Sequence, residues 1–279
     1  MVVLVTGAAG QVGQALKSIS SDYPEITFNF FSSADADVTD AVKLSEVFQQ
    51  VKPDFCINAA AYTGVDKAET EIEKARLINV EGVKNVARAC AAAGCTLIHI
   101  STDFVFDGTS SVPYREEDTT NPIGVYGQTK RDGEIALAQN HIHHFIIRTS
   151  WIYSSFGSNF MKTMLRLGTE KEQVSVVNDQ TGTPTHAIDL AQALIKIIRS
   201  KSQNYGTYHF SNEGYTTWYG FAKEIFAAHQ LPARLIPVPT TEFPTPARRP
   251  AYSVLDKTKI RKEFGLEIPD WREAYKKEA

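Results

Sequence analysis

The sequence predicts an α/β fold in which a doubly wound parallel sheet carries helices on both faces, with a smaller C-terminal domain beside it. Three observations predict this. The chain opens with a β-branched run, residues 2–6, that breaks into glycines and then an amphipathic segment. Strand-like and helix-like segments then alternate to about residue 150, which is the pattern of a parallel sheet. With 279 residues, 43% of them hydrophobic, the chain is long enough for two unequal domains.

Hydrophobic spacing gives the elements in order. The first domain is predicted to contain helices over residues 11–19, 42–51, 73–93 and 127–140 and strands over residues 2–6, 26–31, 55–58, 96–101 and 145–148. The later part is predicted to contain helices over residues 159–167 and 188–198 and strands over residues 174–177 and 207–210. We therefore divide the chain into residues 1–150 and residues 151–279, and we expect the strand at 207–210 to return to the main sheet.

The segment 231–250 differs in composition from the rest of the chain. It holds six of the twelve prolines. Because proline has no N–H and a fixed φ, such a stretch predicts an ordered binding loop or surface wrap instead of a regular element.

Composition also excludes some classes of partner. The formal net charge of -3 argues against a nucleic-acid partner and against an anionic membrane surface. No apolar run approaches the roughly 20 residues of a membrane span, and the sequence predicts a cytoplasmic protein. Cys56, Cys90 and Cys95 lack metal-ligand spacing, so reduced structural thiols are expected. The histidines of 141–144 are interpreted as structural or solvated, and no metal is predicted.

Three glycines follow the first strand directly. Gly7, Gly10 and Gly13 are spaced Gly-x-x-Gly-x-x-Gly, one residue longer in the first gap than the dinucleotide fingerprint. Glycine permits a sharp turn, close approach of backbone to a pyrophosphate and tight packing of helix on strand. The motif therefore favours a Rossmann-like dinucleotide site at the start of the first helix, although an ordinary strand-to-helix turn would use glycine too.

A second constellation is Tyr126-Gly127-Gln128-Thr129-Lys130. Tyr126 and Lys130 are four residues apart and lie on one face of a helix, where the ammonium is expected to lower the pKa of the phenol. Thr102 lies at the end of the strand 96–101, the edge where open α/β sheets bind ligands. A Tyr-x-x-x-Lys pair alone is more often a surface pair, but its position one loop and one helix start after Ser101-Thr102 favours a catalytic site.

Taken in order, these motifs resemble the extended short-chain dehydrogenase/reductase family, and the match continues over almost the whole chain. Within that family the chain is similar to the enzymes that complete dTDP-L-rhamnose. The matching stretches are Gly10-Gln11-Val12-Gly13, Asn58-Ala59-Ala60-Ala61-Tyr62-Thr63, Ser101-Thr102-Asp103-Phe104-Val105-Phe106, Val125-Tyr126-Gly127-Gln128-Thr129-Lys130, Arg148-Thr149-Ser150-Trp151 and Pro244-Thr245-Pro246-Ala247-Arg248-Arg249-Pro250.

The resemblance implies transfer of a nicotinamide hydride to the C4 ketone of dTDP-4-dehydro-β-L-rhamnose. It implies that Tyr126 protonates the C4 oxygen, that Lys130 tunes Tyr126 and holds the nicotinamide ribose, and that Thr102 holds the carbonyl. The implied cofactor-binding residues are Gly7, Gly10, Gln11, Val12, Gly13, Asp37, Val38, Ala59, Ala61, Tyr62, Thr63, Tyr126 and Lys130. The smaller C-terminal domain is then the substrate-binding domain, with Thr102, Asp103, Trp151 and Arg249 as the implied substrate contacts.

Cofactor preference depends on the end of the second strand. Many dinucleotide sites carry an acidic residue there for the ribose 2′-hydroxyl, but this chain reads Phe31-Ser32-Ser33. No carboxylate at that place would repel a 2′-phosphate and no cation would attract one. We therefore expect use of either NADPH or NADH. Where family members place a glutamate for a divalent ion at a subunit contact this chain has Ala15, and the sequence leaves a homodimer open.

Two other readings of the same resemblance remain. One is a non-catalytic dinucleotide-binding protein like the regulatory subunit of methionine adenosyltransferase, against which the intact set of Thr102, Tyr126 and Lys130 argues. The other is a nucleotide-sugar epimerase or dehydratase. Dehydratases usually carry Asp-Glu after the Ser/Thr, whereas here Asp103 is followed by Phe104.

Overall fold

A six-stranded parallel sheet forms the centre of the computed structural model, which describes residues 1–278. The strands in chain order are β1 (Val2–Thr6), β2 (Thr27–Phe31), β3 (Phe55–Asn58), β4 (Thr96–Thr102), β5 (His144–Thr149), β6 (Ile152–Tyr153), β7 (Gln173–Val177), β8 (Thr181–Gly182), β9 (Thr185–His186), β10 (Gly206–His209), β11 (Thr216–Thr217) and β12 (Arg234–Val238). The sheet order is β10-β5-β4-β3-β1-β2. Every pair in it is parallel, with Val3 opposite both Phe28 and Phe55.

Helices cover both faces of this sheet. They are α1 (Gln11–Ile19), α2 (Ala41–Val51), α3 (Val65–Ala68), α4 (Ile72–Arg76), α5 (Val83–Ala93), α6 (Val125–Asn140), α7 (Phe160–Glu170), α8 (Ala187–Ser200), α9 (Trp218–Ala228), α10 (Thr258–Phe264) and α11 (Trp271–Lys276). Side chains alternate along β1, so that Val3 and Val5 pack with α1, α8 and α10 while Leu4 packs with α2 and α5. The doubly wound α/β fold predicted from the sequence is thereby confirmed.

The returning strand β10 lies at the edge of the sheet beside β5. Helices α8 and α10 also pack on the sheet, through Leu190, Leu194, Ile260 and Phe264 among others. A separate cluster joins α7 and α9 to the two-stranded pair of β7 and β12. The division of the chain at residue 150 stays a prediction, to which the structure adds two later helices on the main sheet.

The expectation that residues 231–250 contain no regular element is wrong in part. Residues Arg234–Val238 form β12, which runs parallel to β7 with Pro237 opposite Val176. Strand β12 has one strand neighbour among the described residues, and an edge strand tolerates proline where the missing N–H would point away from that neighbour. The rest of the segment is loop around a 3₁₀ turn at Thr240–Glu242, and its end at Pro250 packs against Gly108.

The single long helix predicted over 73–93 is also corrected. A π-helical turn, Leu77–Gly82, interrupts it between α4 and α5. The wider turn directs Asn79 inward, where it bonds to the backbone of Tyr62 and to the Thr129 hydroxyl. Helices α9, α10 and α11 have no counterpart among the predicted elements. Within residues 1–278, none of the helices has the length and apolar character that crossing a membrane requires.

Candidate active site

A cleft of about 660 Å³ opens at the carboxyl ends of β1, β3, β4 and β5, between the sheet and the later part of the chain. This is the edge at which open α/β sheets bind ligands. Twelve of the predicted site residues line it: Gly10, Gln11, Val12, Ala59, Ala61, Thr63, Thr102, Asp103, Tyr126, Lys130, Trp151 and Arg249. The structure therefore brings together residues from six separate stretches of sequence.

The glycine turn between β1 and α1 divides into packing and binding positions. Gly7 has a φ of +68°, and a Cβ there would lie 2.5 Å from the backbone carbonyl carbon of Ala59. A Cβ at Gly13 would lie 2.5 Å from the Gly7 carbonyl oxygen. Gly10 is less crowded, with a nearest contact of 3.3 Å, and lines the cleft. Gly7 and Gly13 thus permit close packing, and Gly10 is the glycine that a ligand can approach.

The N-terminus of α1 has the features of an anion site. Gly10 is its N-cap and provides no side-chain cap, and no acidic residue lies in its first turn. The first N–H groups of a helix have no intrahelical partner, and the helix dipole favours negative charge there. The Gln11 side chain is engaged elsewhere, since its Oε1 accepts from Ser154 Oγ at 2.9 Å and from Asn159 Nδ2 at 2.8 Å. Its Nε2 donates to the Ile152 carbonyl oxygen at 3.3 Å, so we assign any contact of Gln11 with a pyrophosphate to its backbone N–H.

Tyr126 lies in the first turn of α6 with its ring edge-on to Phe104 at 5.6 Å between centroids. Burial raises the pKa of Tyr126 to about 12, the neighbouring Thr102 hydroxyl opposes this, and Asp103 adds to it. The predicted lowering of this pKa by Lys130 is wrong for this arrangement. The reason is geometric: Lys130 Nζ turns away to the Ile100 carbonyl oxygen, to which it donates at 2.8 Å. The phenol is consequently held in its neutral, proton-donating form.

Lys130 itself is almost fully buried at the floor of the cleft. Its Nζ also lies 3.4 Å from His99 Nε2. Burial lowers the pKa of Lys130 to about 8, and the negative charge of Glu134 opposes this effect. Glu134 is one turn further along α6 and forms a buried ion pair with Arg148 at 2.7 Å.

Thr102 and Asp103 follow each other at the end of β4. The Thr102 hydroxyl donates to Asp103 Oδ1 at 3.1 Å and accepts from the Phe104 N–H at 3.2 Å. Burial raises the pKa of Asp103 to about 7, with the hydroxyls of Ser253 and Thr102 opposing this. Asp103 Oδ2 is buried and has no hydrogen-bond partner within the described residues. A polar ligand in the cleft can therefore find an unused acceptor, or donor when Asp103 is protonated, beside Tyr126.

Trp151 contributes an aromatic wall to the cleft. Its backbone adopts a left-handed φ of +46°, and its indole stacks on Trp218 with centroids 3.5 Å apart and planes 10° apart. A Cβ at Gly182 would lie 2.6 Å from Trp151 Cε2, so glycine is required there. Trp218 and Phe160, which also line the cleft, were not predicted as site residues. The sequence places them 67 and 9 residues from Trp151, and no motif joins the three.

Arg249 reaches the cleft from the proline-rich segment. Its Nη2 pairs with Asp66 Oδ2 at 2.8 Å and its Nη1 with the Thr245 hydroxyl, while Arg248 is exposed. Burial raises the pKa of Asp66, but the hydrogen bonds from Arg249 and Ala247 outweigh this and lower it. Only Arg249 of the two arginines lines the cleft.

Five predicted cofactor residues lie outside the lining of this cleft: Gly7, Gly13, Asp37, Val38 and Tyr62. Asp37 is exposed, and its Oδ1 caps the Thr39 N–H at 2.8 Å, while Val38 packs against Gly82. The end of β2 also differs from expectation, because Ser32 donates through N–H and hydroxyl to Asp35 Oδ2 at 3.0 and 2.6 Å. The turn after β2 thus brings the Asp35 carboxylate to the end of this strand, where the local sequence Phe31-Ser32-Ser33 has no acidic residue.

Two of the three histidines of 141–144 bond to the backbone, while His143 is exposed. His141 Nε2 bonds to the Cys95 carbonyl oxygen at 2.9 Å, and His144 bonds to the His141 carbonyl. Cys56, Cys90 and Cys95 are buried with free thiols. Over residues 1–278 no group of three or more His, Cys, Asp or Glu side chains has the arrangement of a metal site.

Comparison with known proteins identifies the family of this chain. The model of the RmlD substrate binding domain matches residues 1–278. The chain belongs to this family. It is 41% identical to the dTDP-4-dehydrorhamnose reductase of Sinorhizobium fredii, over 98% of this chain and 95% of the relative. It is also 41% identical to the enzyme of that name from Escherichia coli, over 99% of this chain and 96% of the relative.

A solved structure also supports this family assignment. The crystal structure of the dTDP-4-dehydrorhamnose reductase of Bacillus anthracis, in complex with NADP, has a TM-score of 0.94 and 40% identity to this chain. The match covers 99% of this chain and 98% of the other. The family resemblance predicted from the motifs is confirmed, and so is the Rossmann-like class of the fold.

Proposed function

We propose that this protein is an NAD(P)H-dependent oxidoreductase that reduces the C4 ketone of dTDP-4-dehydro-β-L-rhamnose to give dTDP-β-L-rhamnose. Relatives of the RmlD family at about 40% identity over nearly their whole length carry the name of this reductase. The observation that carries the proposal is the meeting of Tyr126, Thr102 and Lys130 with the uncapped N-terminus of α1 in one cleft.

The cleft fits a dinucleotide at one end. The free N–H groups at the start of α1 and the exposed face of Gly10 suit a pyrophosphate. Ala59, Ala61 and Thr63 continue the lining along the end of β3 toward Lys130, which we assign to the hydroxyls of the nicotinamide ribose. When bound there, the reduced nicotinamide supplies a hydride for a carbonyl carbon. A relative in complex with NADP supports this choice of cofactor, and the sequence expectation of NADPH or NADH is kept.

In the proposed reaction, the side chains of the cleft position the sugar and supply a proton to its C4 oxygen. Tyr126, with its pKa raised to about 12, carries a proton at neutral pH and is placed to give it to the C4 oxygen. Thr102 would donate a hydrogen bond to the same oxygen, in place of its present bond to Asp103. Asp103 is assigned to a sugar hydroxyl, since its Oδ2 has no other partner in the described chain.

The rest of the nucleotide sugar is assigned to the C-terminal side of the cleft. The aromatic wall formed by Trp151 and Trp218 suits an apolar deoxysugar, and the Arg249 guanidinium suits a diphosphate, whose oxygens it can bind in pairs. A cytoplasmic location and a homodimer remain predictions from the sequence.

The deciding test is oxidation of NADPH, and separately of NADH, by the purified protein with dTDP-4-dehydrorhamnose. We expect absorbance loss that requires both protein and sugar, with dTDP-rhamnose as the product. Tyr126→Phe should lower kcat by roughly 10²- to 10⁴-fold and leave the dissociation constant of the cofactor unchanged, because it removes only the acid.

Tyr215→Phe is the matched control, since Tyr215 is exposed and lies outside the lining of the cleft. Near-normal turnover of Tyr126→Phe would remove Tyr126 from its role. A protein that binds the cofactor but oxidises none with this sugar would favour the regulatory reading. Tightly bound NAD that does not exchange would favour an epimerase or dehydratase.

A further inference from the structure

A line of buried polar side chains runs beneath the cleft from the sheet to Lys130. Thr6 Oγ1 donates to Asn58 Oδ1 at 2.7 Å, Asn58 Nδ2 lies 3.2 Å from His99 Nδ1, and His99 Nε2 lies 3.4 Å from Lys130 Nζ. The four side chains belong to β1, β3, β4 and α6, and each is at most 2% exposed. Water cannot supply missing partners at such positions, so the donors and acceptors must match one another.

The orientation of the Asn58 amide is fixed by its other contacts. Its Oδ1 accepts from the Thr6 hydroxyl and also from the backbone N–H of Ala60 at 3.2 Å. A backbone N–H cannot act as an acceptor, so a flipped amide would set two donors against each other. The amide NH₂ group therefore faces His99, and His99 Nδ1 must accept from it.

This assignment determines the tautomer of His99. A neutral imidazole that accepts at Nδ1 carries its proton on Nε2. Burial lowers the pKa of His99 well below its ordinary value, which keeps the ring neutral. The Nε2–H group then points toward Lys130 Nζ.

An ammonium group has three donors and no acceptor, so an ammonium at Lys130 would meet the Nε2–H as donor against donor. A neutral amine has a lone pair that accepts from Nε2–H while one of its own N–H groups donates to the Ile100 carbonyl. The charged and titratable groups around Lys130 are Glu134 and Tyr126 on its own helix and His99 on β4, with Arg148 of β5 paired to Glu134. Both Glu134 oxygens are engaged, with Arg148 and with the Ser101 hydroxyl.

We propose that His99 is a positioning residue that holds Lys130 as a neutral amine, and that Lys130 is protonated only when its Nζ leaves His99 for a ligand in the cleft. The proposal rests on the dinucleotide site of the proposed function. In the protonation step the Nζ lone pair forms a bond to one proton taken from solvent, and the cleft that Lys130 lines gives the path. Binding of the dinucleotide is thereby coupled to uptake of a proton.

The first test is the tautomer itself, which nitrogen-15 NMR of the imidazole reads in the unmodified protein. We expect the His99 ring to show a protonated Nε2 and an unprotonated Nδ1, with His99→Gln used to assign its signals. A protonated Nδ1, or a doubly protonated ring at neutral pH, would overturn the proposal. This measurement needs no ligand and does not depend on the proposed function.

The second test is the titration of Lys130, followed by its ε-carbon NMR signal and assigned with Lys130→Met. The proposal predicts a midpoint near the value of about 8 that burial produces. In His99→Gln the side-chain carbonyl can accept from an ammonium, and the midpoint should rise by about one pH unit or more. His209→Gln, at another buried histidine of the same sheet, is the control and should leave the midpoint unchanged.

Calorimetry in buffers of different ionisation enthalpy then measures proton uptake on binding of NADPH. Between pH 8 and pH 9 we expect uptake by the unmodified protein and clearly less by His99→Gln. Equal proton uptake by the unmodified protein and His99→Gln would show that His99 has only a packing role. A titration midpoint of Lys130 that is the same in both proteins would show the same. Failure to bind NADPH at all would count against the proposed function, while the tautomer would still stand or fall on the first test.

Discussion

At the scale of single residues, the acid next to Tyr126 carries a cost in stability. The Asp103 carboxyl has an ordinary pKa of 3.8, and burial raises it to about 7 in the folded protein. The folded protein therefore binds one more proton than the unfolded chain between these values. Its free energy of unfolding accordingly falls as the pH rises from 4 to 7 and stays low above that.

Asp103→Asn removes this titration and keeps an oxygen that accepts from Thr102. We expect the melting temperature of the variant, relative to that of the unmodified protein, to rise between pH 5 and pH 8. The gain at pH 8 is up to about 4 kcal/mol, because one pKa unit corresponds to roughly 1.4 kcal/mol. Thermal unfolding followed by circular dichroism at several pH values measures it.

Asp107→Asn is the control for this series. Hydrogen bonds from the Thr109 N–H and hydroxyl lower the pKa of Asp107 to about 2. Asp107 is therefore ionised in both folded and unfolded states above pH 5, and its variant should show a difference that is constant from pH 5 to pH 8. A constant difference for Asp103→Asn as well would contradict a raised pKa at Asp103.

The sequence identifies residues that recur in a motif and misses those that act through contact alone. Tyr126, Lys130 and Thr102 have a spacing and an order that predict chemistry. Trp218 has neither, because its stacking on Trp151 depends on how α9 packs. The pKa of Tyr126 was expected to fall and instead rises, since burial depends on tertiary structure while helical spacing gives only proximity.

At the scale of elements, two glycines of the turn between β1 and α1 have different roles: Gly13 permits close packing, and Gly10 lines the cleft. A Cβ at Gly13 would lie 2.5 Å from the Gly7 carbonyl oxygen and 2.6 Å from Ala8 Cα, so backbone must move. We expect Gly13→Ala to lower the free energy of unfolding by about 1–3 kcal/mol, as overpacking does. Urea unfolding measures this change.

Gly10→Ala is the matched substitution in the same turn. Its Cβ meets nothing closer than 3.3 Å, so its loss of stability should be the smaller of the two. Because Gly10 lines the cleft, the added methyl group should instead weaken binding of NADPH. If Gly10→Ala unfolds more easily than Gly13→Ala and binds NADPH normally, Gly10 has the packing role and does not contact the cofactor.

Element boundaries were predictable where hydrophobic period and breakers coincide, as in α1 and β3, whose predicted bounds match the structure. Element boundaries were not predictable where the local sequence pattern is typical of a different structure. Pro237 lies in a strand because β12 is at an edge, and the π-helical turn at Leu77–Gly82 keeps the hydrophobic spacing of an ordinary helix. In both cases the partner that decides the outcome is distant in sequence.

At the scale of the whole molecule, Arg249 joins the proline-rich segment to α3 through Asp66. We expect Arg249→Ala to raise the KM for the nucleotide sugar about 10- to 100-fold with little change in kcat, since a charge-assisted hydrogen bond is worth roughly 1.5–3 kcal/mol. Steady-state kinetics with saturating NADPH measures both constants.

Two further variants separate binding from architecture. Arg248→Ala removes an exposed neighbouring guanidinium and should leave KM unchanged. Asp66→Asn breaks the ion pair but keeps Arg249, and it should not raise KM. If Asp66→Asn raises KM as much as Arg249→Ala does, the ion pair matters and the guanidinium does not contact the substrate.

The order in which the sheet and its covering helices occur along the chain also affects folding during synthesis. One hydrophobic cluster joins Val3 of β1 to Tyr208 of β10 and to Phe264 of α10. A ribosome that has released the first 150 residues has released five of the six strands, but the edge strand and two helices of one face are still missing. The apolar surface on that face stays uncovered until residue 264 has emerged, so the nascent chain has a long interval in which it is prone to aggregate and open to chaperones.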